Sequence, residues 1–323
     1  MAFTSHIAAS LRHSEHRIVL TGASGWLGRA TLELLYHALG ITFKDRVLCF
    51  GSRVAQIQLS DNLRISQRPM RELETLSCQP TFLLHCAFLT KDRAEKMSEA
   101  EYCAANRSIR AQALDAMDAI GVDAAFLASS GAAKFAQDEL ATPAMRLYGA
   151  LKQEDEVAFS KWASDQRKNL VIARIFNISG PHINKLNSYA LSSFIVDALA
   201  GGPIVVNARQ PVWRGYVAIR ELMSLVFALL IQQSEKVTRF ESGGDAVELG
   251  NLASRIAARL DCKVQCFEDR IGPANTYLGN NTAYRAMLDR YAIDQVSLSE
   301  QIEETIDYLK HSMAHEKPQD SYA

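Results

Sequence analysis

The first half of the chain alternates short apolar runs with longer segments in which apolar residues recur every three or four positions. Short apolar runs predict buried strands, and the longer periodic segments predict amphipathic helices. The predicted strands are Arg17–Thr21 and the segments 46–51, 63–66, 81–88, 123–130 and 169–176, and the predicted helices are 26–40, 91–120 and 144–168. This alternation predicts an α/β fold of the Rossmann type, with a doubly wound parallel sheet covered by helices on both faces.

After Pro181 the predicted strands become shorter, at 203–207, 214–219 and 262–267. They are interleaved with amphipathic helices predicted at 220–233, Leu249–Leu260 and 298–310. We therefore expect four parts of the chain: an N-terminal extension over 1–16, a dinucleotide-binding domain over 17–180, a smaller α/β substrate-binding lobe over 181–312 and a tail over 313–323.

The composition limits the classes of partner. The 323 residues carry 35 Lys and Arg against 36 Asp and Glu, so a net charge of -1 provides no global field that would attract nucleic acid or an anionic membrane. Without an apolar run of 18 residues or a signal-peptide core, we expect a cytoplasmic protein. The six cysteines are interpreted as reduced thiols, with Cys262 and Cys266 as buried strand residues and no metal site.

The segment "TGASGWLG" places Gly22, Gly25 and Gly28 between the first predicted strand and the first predicted helix. Glycines there permit a tight turn, let backbone N–H groups approach a pyrophosphate and let the helix pack closely. A capped helix with coincidental glycines is the alternative. Strand two is followed by Ser52 and Arg53 instead of the carboxylate that holds the ribose of NAD, which favours NADP(H) over NAD(H) unless Arg53 is a solvated loop residue.

Tyr148 and Lys152 lie four residues apart on a predicted helix, so their side chains project from the same face. A phenol is a poor base near neutral pH, and a nearby ammonium stabilises its phenolate. Ser129 or Ser130 ends the fifth predicted strand, at the sheet edge where ligands of such folds bind. The serine would hold a substrate oxygen, Tyr148 would transfer the proton, and Lys152 would tune Tyr148 and orient the cofactor ribose.

From about residue 17 to residue 310 the chain resembles the extended short-chain dehydrogenase/reductases, which include NAD(P)-dependent nucleotide-sugar epimerases, dehydratases and reductases. The motifs that carry this resemblance are "TGASGWLG", "HCAF", "ASS", "YGALK" and "RIFNISGP". The resemblance implies Ser130, Tyr148 and Lys152 as the catalytic set, with Ser129 as the alternative serine, and it implies a homodimer. With Tyr148 and Lys152, the implied cofactor contacts are Thr21, Gly22, Ser24, Gly25, Trp26, Leu27, Gly28, Ser52, Arg53, Cys86, Ala87, Phe88 and Asn106.

By the same resemblance, Ser130, Asn177 and Arg214 would contact the substrate, the last two at the diphosphate of a nucleotide-activated sugar. An arginine fork suits a phosphate, although a surface salt bridge is the alternative for Arg214. Gly131 and Ala132 follow Ser130, where dehydratases of the family tend to carry an Asp–Glu pair. Without that acid/base pair, an epimerase or a reductase is favoured over a dehydratase.

Three functions follow from these residues. The first is hydride transfer between a nicotinamide and a sugar carbon, at C4 of a nucleotide-activated sugar, with Tyr148 as the acid/base and with epimerisation or net reduction as the outcome. The second is NADPH-dependent reduction of a small carbonyl compound. The third is a non-catalytic NADP(H)-binding sensor or scaffold, which would have no need for Ser130, Tyr148 and Lys152 together.

Overall fold

The computed structural model describes residues 1–60, 63–90, 97–233, 236–267 and 272–315. The strands are β1 (Arg17–Thr21), β2 (Val47–Gly51), β3 (Ala55–Ser60), β4 (Leu63–Pro69), β5 (Thr81–His85), β6 (Val122–Ser130), β7 (Asn169–Ile175), β8 (Asn177–Ser179), β9 (Ile204–Val206), β10 (Val212–Ala218), β11 (Val237–Glu241), β12 (Ala246–Glu248), β13 (Val264–Cys266) and β14 (Asn275–Tyr277). The helices are α1 (Ser5–His13), α2 (Trp26–Leu39), α3 (Phe43–Arg46), α4 (Glu99–Met117), α5 (Pro143–Gln166), α6 (Ala190–Leu199), α7 (Ile219–Gln232), α8 (Leu249–Leu260), α9 (Asn281–Arg290) and α10 (Leu298–His315).

One sheet of eight strands, in the order β11-β7-β6-β5-β1-β2-β4-β3, organises the molecule. Seven of its strands are parallel, and helices cover both faces, so the predicted Rossmann-type fold is confirmed. The exception is β3, which pairs antiparallel with β4 at the outer edge. The sequence patterns predicted no strand between strands two and three, so β3 was missed.

The central strands are buried on both faces, as continuous apolar runs require. All five residues of β1 and all five of β5 are buried. The N-terminal extension also contributes to the core, because Ile7 and Leu11 lie four apart on one face of α1 and are both buried. The Arg46 guanidinium donates to the carbonyl of Leu11 at 2.9 Å and fixes the end of α1 to the sheet domain.

The shorter strands form a second sheet, in which β10 pairs with β12, β14 and β8, and a separate ribbon of β9 and β13. Cys266, at the end of β13, is exposed, and Cys262, just before β13, is half-buried, so the prediction that both are buried strand residues is wrong. The reason is that, among the described strands, β13 pairs only with β9, so no strand covers its other edge. Within the described residues, no helix is both long enough and apolar enough to span a membrane.

A buried carboxyl group beneath this lobe makes stability depend on pH. Burial raises the pKa of Glu221 from 4.5 to about 7, although its carboxylate accepts the Val296 backbone N–H. Because the folded-state pKa is raised, the folded protein retains a proton that the unfolded chain releases. The stabilisation is therefore fully present below pH 4.5 and is lost as the pH rises through about 7.

We expect Glu221→Gln to flatten this dependence, because an amide cannot ionise and still accepts the Val296 N–H. Wild type should lose up to about 3 kcal/mol of unfolding free energy between pH 5 and pH 8, and the variant should not show this loss. Urea denaturation of both proteins at both pH values measures the difference. The exposed Asp289→Asn variant is the control and should keep the wild-type pH profile. A Glu221→Gln profile parallel to wild type would contradict the expectation.

Candidate active site

The glycine turn lies at the carboxyl end of β1, where the central parallel strands all end. Gly22 adopts φ +71°, and a Cβ there would lie 2.6 Å from the backbone nitrogen of Ala87. Its N–H donates to the Phe50 carbonyl at 2.9 Å and joins the turn to β2. Gly25 is the N-cap residue of α2 and has no side chain with which to cap that helix, which leaves the first N–H groups for an anion. Such a helix N-terminus has the chemistry that suits the pyrophosphate of a dinucleotide.

The neighbouring residues of the turn support its backbone. A Cβ at Gly28 would lie 2.4 Å from the Gly22 carbonyl oxygen, so glycine is required where α2 meets the turn. The Trp26 indole donates to the Pro181 carbonyl at 2.8 Å and ties the turn to the segment after β8. Of the other predicted cofactor contacts here, Thr21 is buried at the end of β1, Ser24 is exposed and Leu27 is half-buried.

Two polar residues follow β2 at the same edge. Ser52 and Arg53 are both exposed, and the Gln67 amide donates to the Arg53 carbonyl at 2.9 Å. Gln67 is itself buried against Gly51, and within the described part of the chain its Oε1 atom has no hydrogen-bond partner. The structure thus places a hydroxyl and a guanidinium in solvent just after β2.

The loop after β5 borders the turn. The Cys86 N–H donates to the Thr21 carbonyl at 3.1 Å, which brings Ala87 and Phe88 to the sheet edge. Asn106 on α4 is buried, and its side-chain oxygen accepts the Leu89 N–H at 2.8 Å. The structure therefore places Asn106 behind this loop, where it fixes the loop's backbone.

The three predicted catalytic side chains converge beside this loop. Ser130 ends β6, and Tyr148 and Lys152 lie one turn apart on α5. The Lys152 ammonium donates to the Ala128 carbonyl at 2.9 Å and lies 3.7 Å from the centre of the Phe88 ring. Tyr148 meets the same ring edge-on, at 5.4 Å between centroids. Phe88 thus contacts both residues of the Tyr–Lys pair.

Burial dominates the electrostatics of this pair. It raises the pKa of Tyr148 above its usual value, and the Ser130 hydroxyl opposes that rise. It lowers the pKa of Lys152, which the carboxylates of Asp155 and Glu156 oppose. The largest effect on Tyr148 is therefore opposite in direction to the one we predicted from Lys152.

The structure distinguishes the two candidate serines. Adjacent residues of a strand point to opposite faces, and the Ser129 hydroxyl donates to Glu156 at 2.6 Å on the side of α5. The Ser130 hydroxyl instead lies 3.4 Å from the Tyr277 phenol and accepts the Ala132 N–H at 3.2 Å. It is Ser130 that faces the space beside Tyr148.

Tyr277 is a residue of this site that the sequence analysis missed. Its ring packs against Phe176 at 4.8 Å and Phe135 at 5.8 Å, over the hydroxyl of Ser130. Burial raises the pKa of Tyr277, and hydrogen bonds to Ser130 and from the Ala132 backbone oppose this. The three-residue strand β14 offers no periodic signal, so nothing in the local sequence marked Tyr277.

The two predicted diphosphate contacts come from neighbouring strands. Asn177 opens β8, and its amide donates to the Gly215 carbonyl of β10 at 3.1 Å. Arg214 is the register partner of Tyr277, and its Nη1 atom donates to the carbonyls of Trp213 and Asn275. Burial lowers the pKa of Arg214, and the Tyr216 and Tyr277 phenols oppose this.

The sequence matches the NAD dependent epimerase/dehydratase family over residues 18–243. That match covers more than half of the chain, from β1 to just beyond β11. The chain therefore belongs to the NAD dependent epimerase/dehydratase family. This confirms the predicted family resemblance and the prediction that the protein is an enzyme. No protein of curated function matches the sequence significantly.

Solved structures share the fold at low sequence identity. An epimerase from the methanogen Methanothermobacter thermautotrophicus has a TM-score of 0.71 and 16% identity, covering 96% of this chain and 97% of that chain. The UDP-N-acetylglucosamine 4-epimerase of Methanobrevibacter ruminantium, in complex with UDP-N-acetylmuramic acid, has a TM-score of 0.70 and 18% identity. That match covers 93% of this chain and 100% of that chain. The UDP-glucose 4-epimerase of Thermus thermophilus, in complex with NAD, has a TM-score of 0.68 and 18% identity. That match covers 91% of this chain and 99% of that chain. At these identities the likeness shows the fold alone.

Proposed function

We propose that this enzyme transfers a hydride at C4 of a nucleotide-activated sugar, with Tyr148 as the acid/base. The observation that carries the proposal is the convergence of Ser130, Tyr148 and Lys152 beside an uncapped glycine turn at one sheet edge. A binding module would need the turn alone. The family and the UDP-sugar epimerases that share the fold support a nucleotide-activated sugar as the substrate.

In this reaction a bound nicotinamide dinucleotide supplies or accepts the hydride. The Tyr148 phenolate would take the proton from the C4 hydroxyl as that carbon is oxidised, and would return the proton on reduction. The Ser130 hydroxyl would hold the C4 oxygen, and the Lys152 ammonium would favour the phenolate. Because the site is buried, such charge interactions are stronger there than in water.

We propose residues 181–312 as the substrate-binding lobe. Strand β10 of this lobe pairs with β14 and with β8, which lies just before the lobe, so Asn177, Arg214 and Tyr277 come together on neighbouring strands, and Tyr277 contacts Ser130. The Arg214 guanidinium and the Asn177 amide are chemically suited to a diphosphate. Return of the hydride to the opposite face of the C4 ketone would give epimerisation. Net reduction would instead start from a 4-keto sugar and the reduced dinucleotide, with one hydride transfer to C4, proton donation from Tyr148 and release of the alcohol.

We also propose NADP(H) as the preferred cofactor and a cytoplasmic homodimer as the working form. The exposed Ser52 and Arg53 at the end of β2 support the cofactor preference, since both groups suit a 2′-phosphate. The first experiment is a calorimetric titration with NADP+, NADPH, NAD+ and NADH, followed by thermal unfolding of the cofactor complex with UDP-sugars. Failure of all four dinucleotides to bind would overturn the proposal.

Arg53→Ala tests the cofactor preference directly. The variant loses the cation that would pair with the 2′-phosphate, so we expect NADP+ to bind at least 10-fold more weakly. NAD+, which has no such phosphate, should bind within about twofold of wild type. The measurement is the calorimetric dissociation constant of each dinucleotide, with the exposed Arg64→Ala variant of the β3–β4 hairpin as the control. Equal weakening of both cofactors would show that Arg53 does not read the phosphate.

A further inference from the structure

An ionic network centred on a buried carboxylate lies directly behind the catalytic pair. Glu156, on α5 one turn after Lys152, is 2% exposed. One of its oxygens accepts the Ser129 hydroxyl at 2.6 Å. The Arg174 guanidinium binds the same carboxylate in a bidentate manner, at 2.9 and 2.8 Å, and the Arg239 Nε atom lies 3.3 Å away. The reaction proposed above uses none of these four residues.

The network connects three parallel strands to one helix. Ser129 belongs to β6, Arg174 is its register partner on β7, and Arg239 lies on β11. Glu156 belongs to α5, which also carries Tyr148. A second bond between the same helix and strand runs from the Lys152 ammonium to the Ala128 carbonyl at 2.9 Å. The end of β6 and the catalytic turn of α5 are therefore held together at two adjacent positions.

These contacts fix the geometry on which the proposed chemistry depends. Ser130 follows Ser129 on β6, and Tyr148 lies two helical turns before Glu156 on α5. A shift of α5 along β6 would change the distance between the Ser130 hydroxyl and the Tyr148 phenol. Displacements of about 1 Å caused by substitutions away from the reacting atoms can cost about 100-fold in rate.

We propose that Glu156 is a positioning residue, which acts through Ser129 to hold Ser130 against Tyr148. The inference rests on the proposed roles of Ser130 and Tyr148. A carboxylate suits this task because it accepts the serine hydroxyl and both arginine guanidinium groups at once. Substitution of the acid alone would leave the half-buried Arg174 guanidinium without its carboxylate partner, so the milder variant for a test is Ser129→Ala.

The test uses protein labelled with 3-fluorotyrosine. The Tyr148 fluorine resonance is assigned by its loss in Tyr148→Phe, and it is then followed in Ser129→Ala, in Ser130→Ala and in the double variant. If Ser129 acts through Ser130, Ser129→Ala shifts the resonance in the wild-type background and causes no further shift in the Ser130→Ala background. An equal shift in both backgrounds, or none in either, would overturn the proposal. This readout requires no turnover.

Turnover provides the second readout, with UDP-glucose as the probe and both oxidised dinucleotides supplied. Ser129→Ala and Glu156→Gln should each lower kcat by about 10- to 100-fold, while KM and the dinucleotide dissociation constant stay within about twofold. Ser160→Ala is the control. It removes another buried hydroxyl of α5, for which the described residues offer no hydrogen-bond partner, and its kcat and KM should match those of wild type. A loss through KM alone would contradict positioning.

The two readouts separate this inference from the proposed function. Wild-type protein that neither binds a dinucleotide nor turns over UDP-glucose would count against the proposed function, and the fluorine cycle would still decide whether Ser129 acts on Tyr148 through Ser130. Wild-type turnover combined with additive fluorine shifts would keep the proposed function and overturn the positioning role. Should Glu156→Gln fail to fold, Ser129→Ala decides alone.

Discussion

Tyr148→Phe should reduce turnover by roughly 1,000-fold or more, because the variant keeps the ring and loses the hydroxyl that the proposed mechanism uses to exchange a proton with the substrate oxygen. The phenylalanine ring can still pack edge-on against Phe88, so the fold should be unchanged. Dinucleotide affinity should stay within a few fold. The measurements are turnover of UDP-glucose and UDP-N-acetylglucosamine and calorimetric titration of the variant.

Tyr277→Phe is the matched control for that variant. It removes the other phenol beside Ser130, which the proposed mechanism does not use for proton transfer. We expect Tyr277→Phe to keep turnover within about 10-fold of wild type, since one hydrogen bond to Ser130 is lost. If Tyr277→Phe abolished turnover and Tyr148→Phe did not, the acid/base assignment would pass to Tyr277.

Gly22→Ala should abolish dinucleotide binding and weaken the fold. The φ of +71° disfavours any residue with a Cβ, by about 1 kcal/mol or more. The added carbon would also lie 2.6 to 2.8 Å from backbone atoms of Cys86 and Ala87, which cannot rotate away as a side chain could. We expect the unfolding free energy to fall by about 2–4 kcal/mol in total and the dissociation constant of NADP+ to rise more than 100-fold.

Gly201→Ala separates backbone strain from the effect on the site. Gly201 has φ +79° with nothing within 4 Å of the position of its Cβ, and it lies just after α6 in the other lobe. That variant should lose only about 1 kcal/mol of unfolding free energy and bind NADP+ like wild type. Urea denaturation and calorimetry measure both effects, and normal NADP+ binding by Gly22→Ala would show that the cofactor does not use this turn.

Local sequence patterns predicted the elements that are long or fully buried. β1 and α8 begin and end at the predicted residues, because the ends of an apolar run and of an amphipathic pattern can be seen in the local sequence. The patterns did not reveal α1, β3 or α9. Three-residue strands such as β8 and β14 form because β10 lies beside them and offers hydrogen-bonding partners. That pairing cannot be predicted from the sequence of the short strand itself.

The same division applies to the candidate site. Helical spacing was enough to place Tyr148 and Lys152 together, and their position beside the glycine turn follows from the parallel sheet. The choice between Ser129 and Ser130 required the strand's orientation, which Glu156 reveals on the opposite face. Tyr277 reaches Ser130 only through the register between β14 and β10, and 129 positions of sequence separate it from Tyr148.

The place of β11 in the large sheet has a consequence for how the protein is made. This strand and the largely buried helix α7 come after β8 to β10 in the chain, yet β11 completes the sheet beside β7. During synthesis, the outer side of β7 therefore lacks its neighbour until Glu241 has left the ribosome. The large sheet therefore cannot be completed before β8 to β10 and α7 have been made, so folding of the first half should be coupled to synthesis of the second.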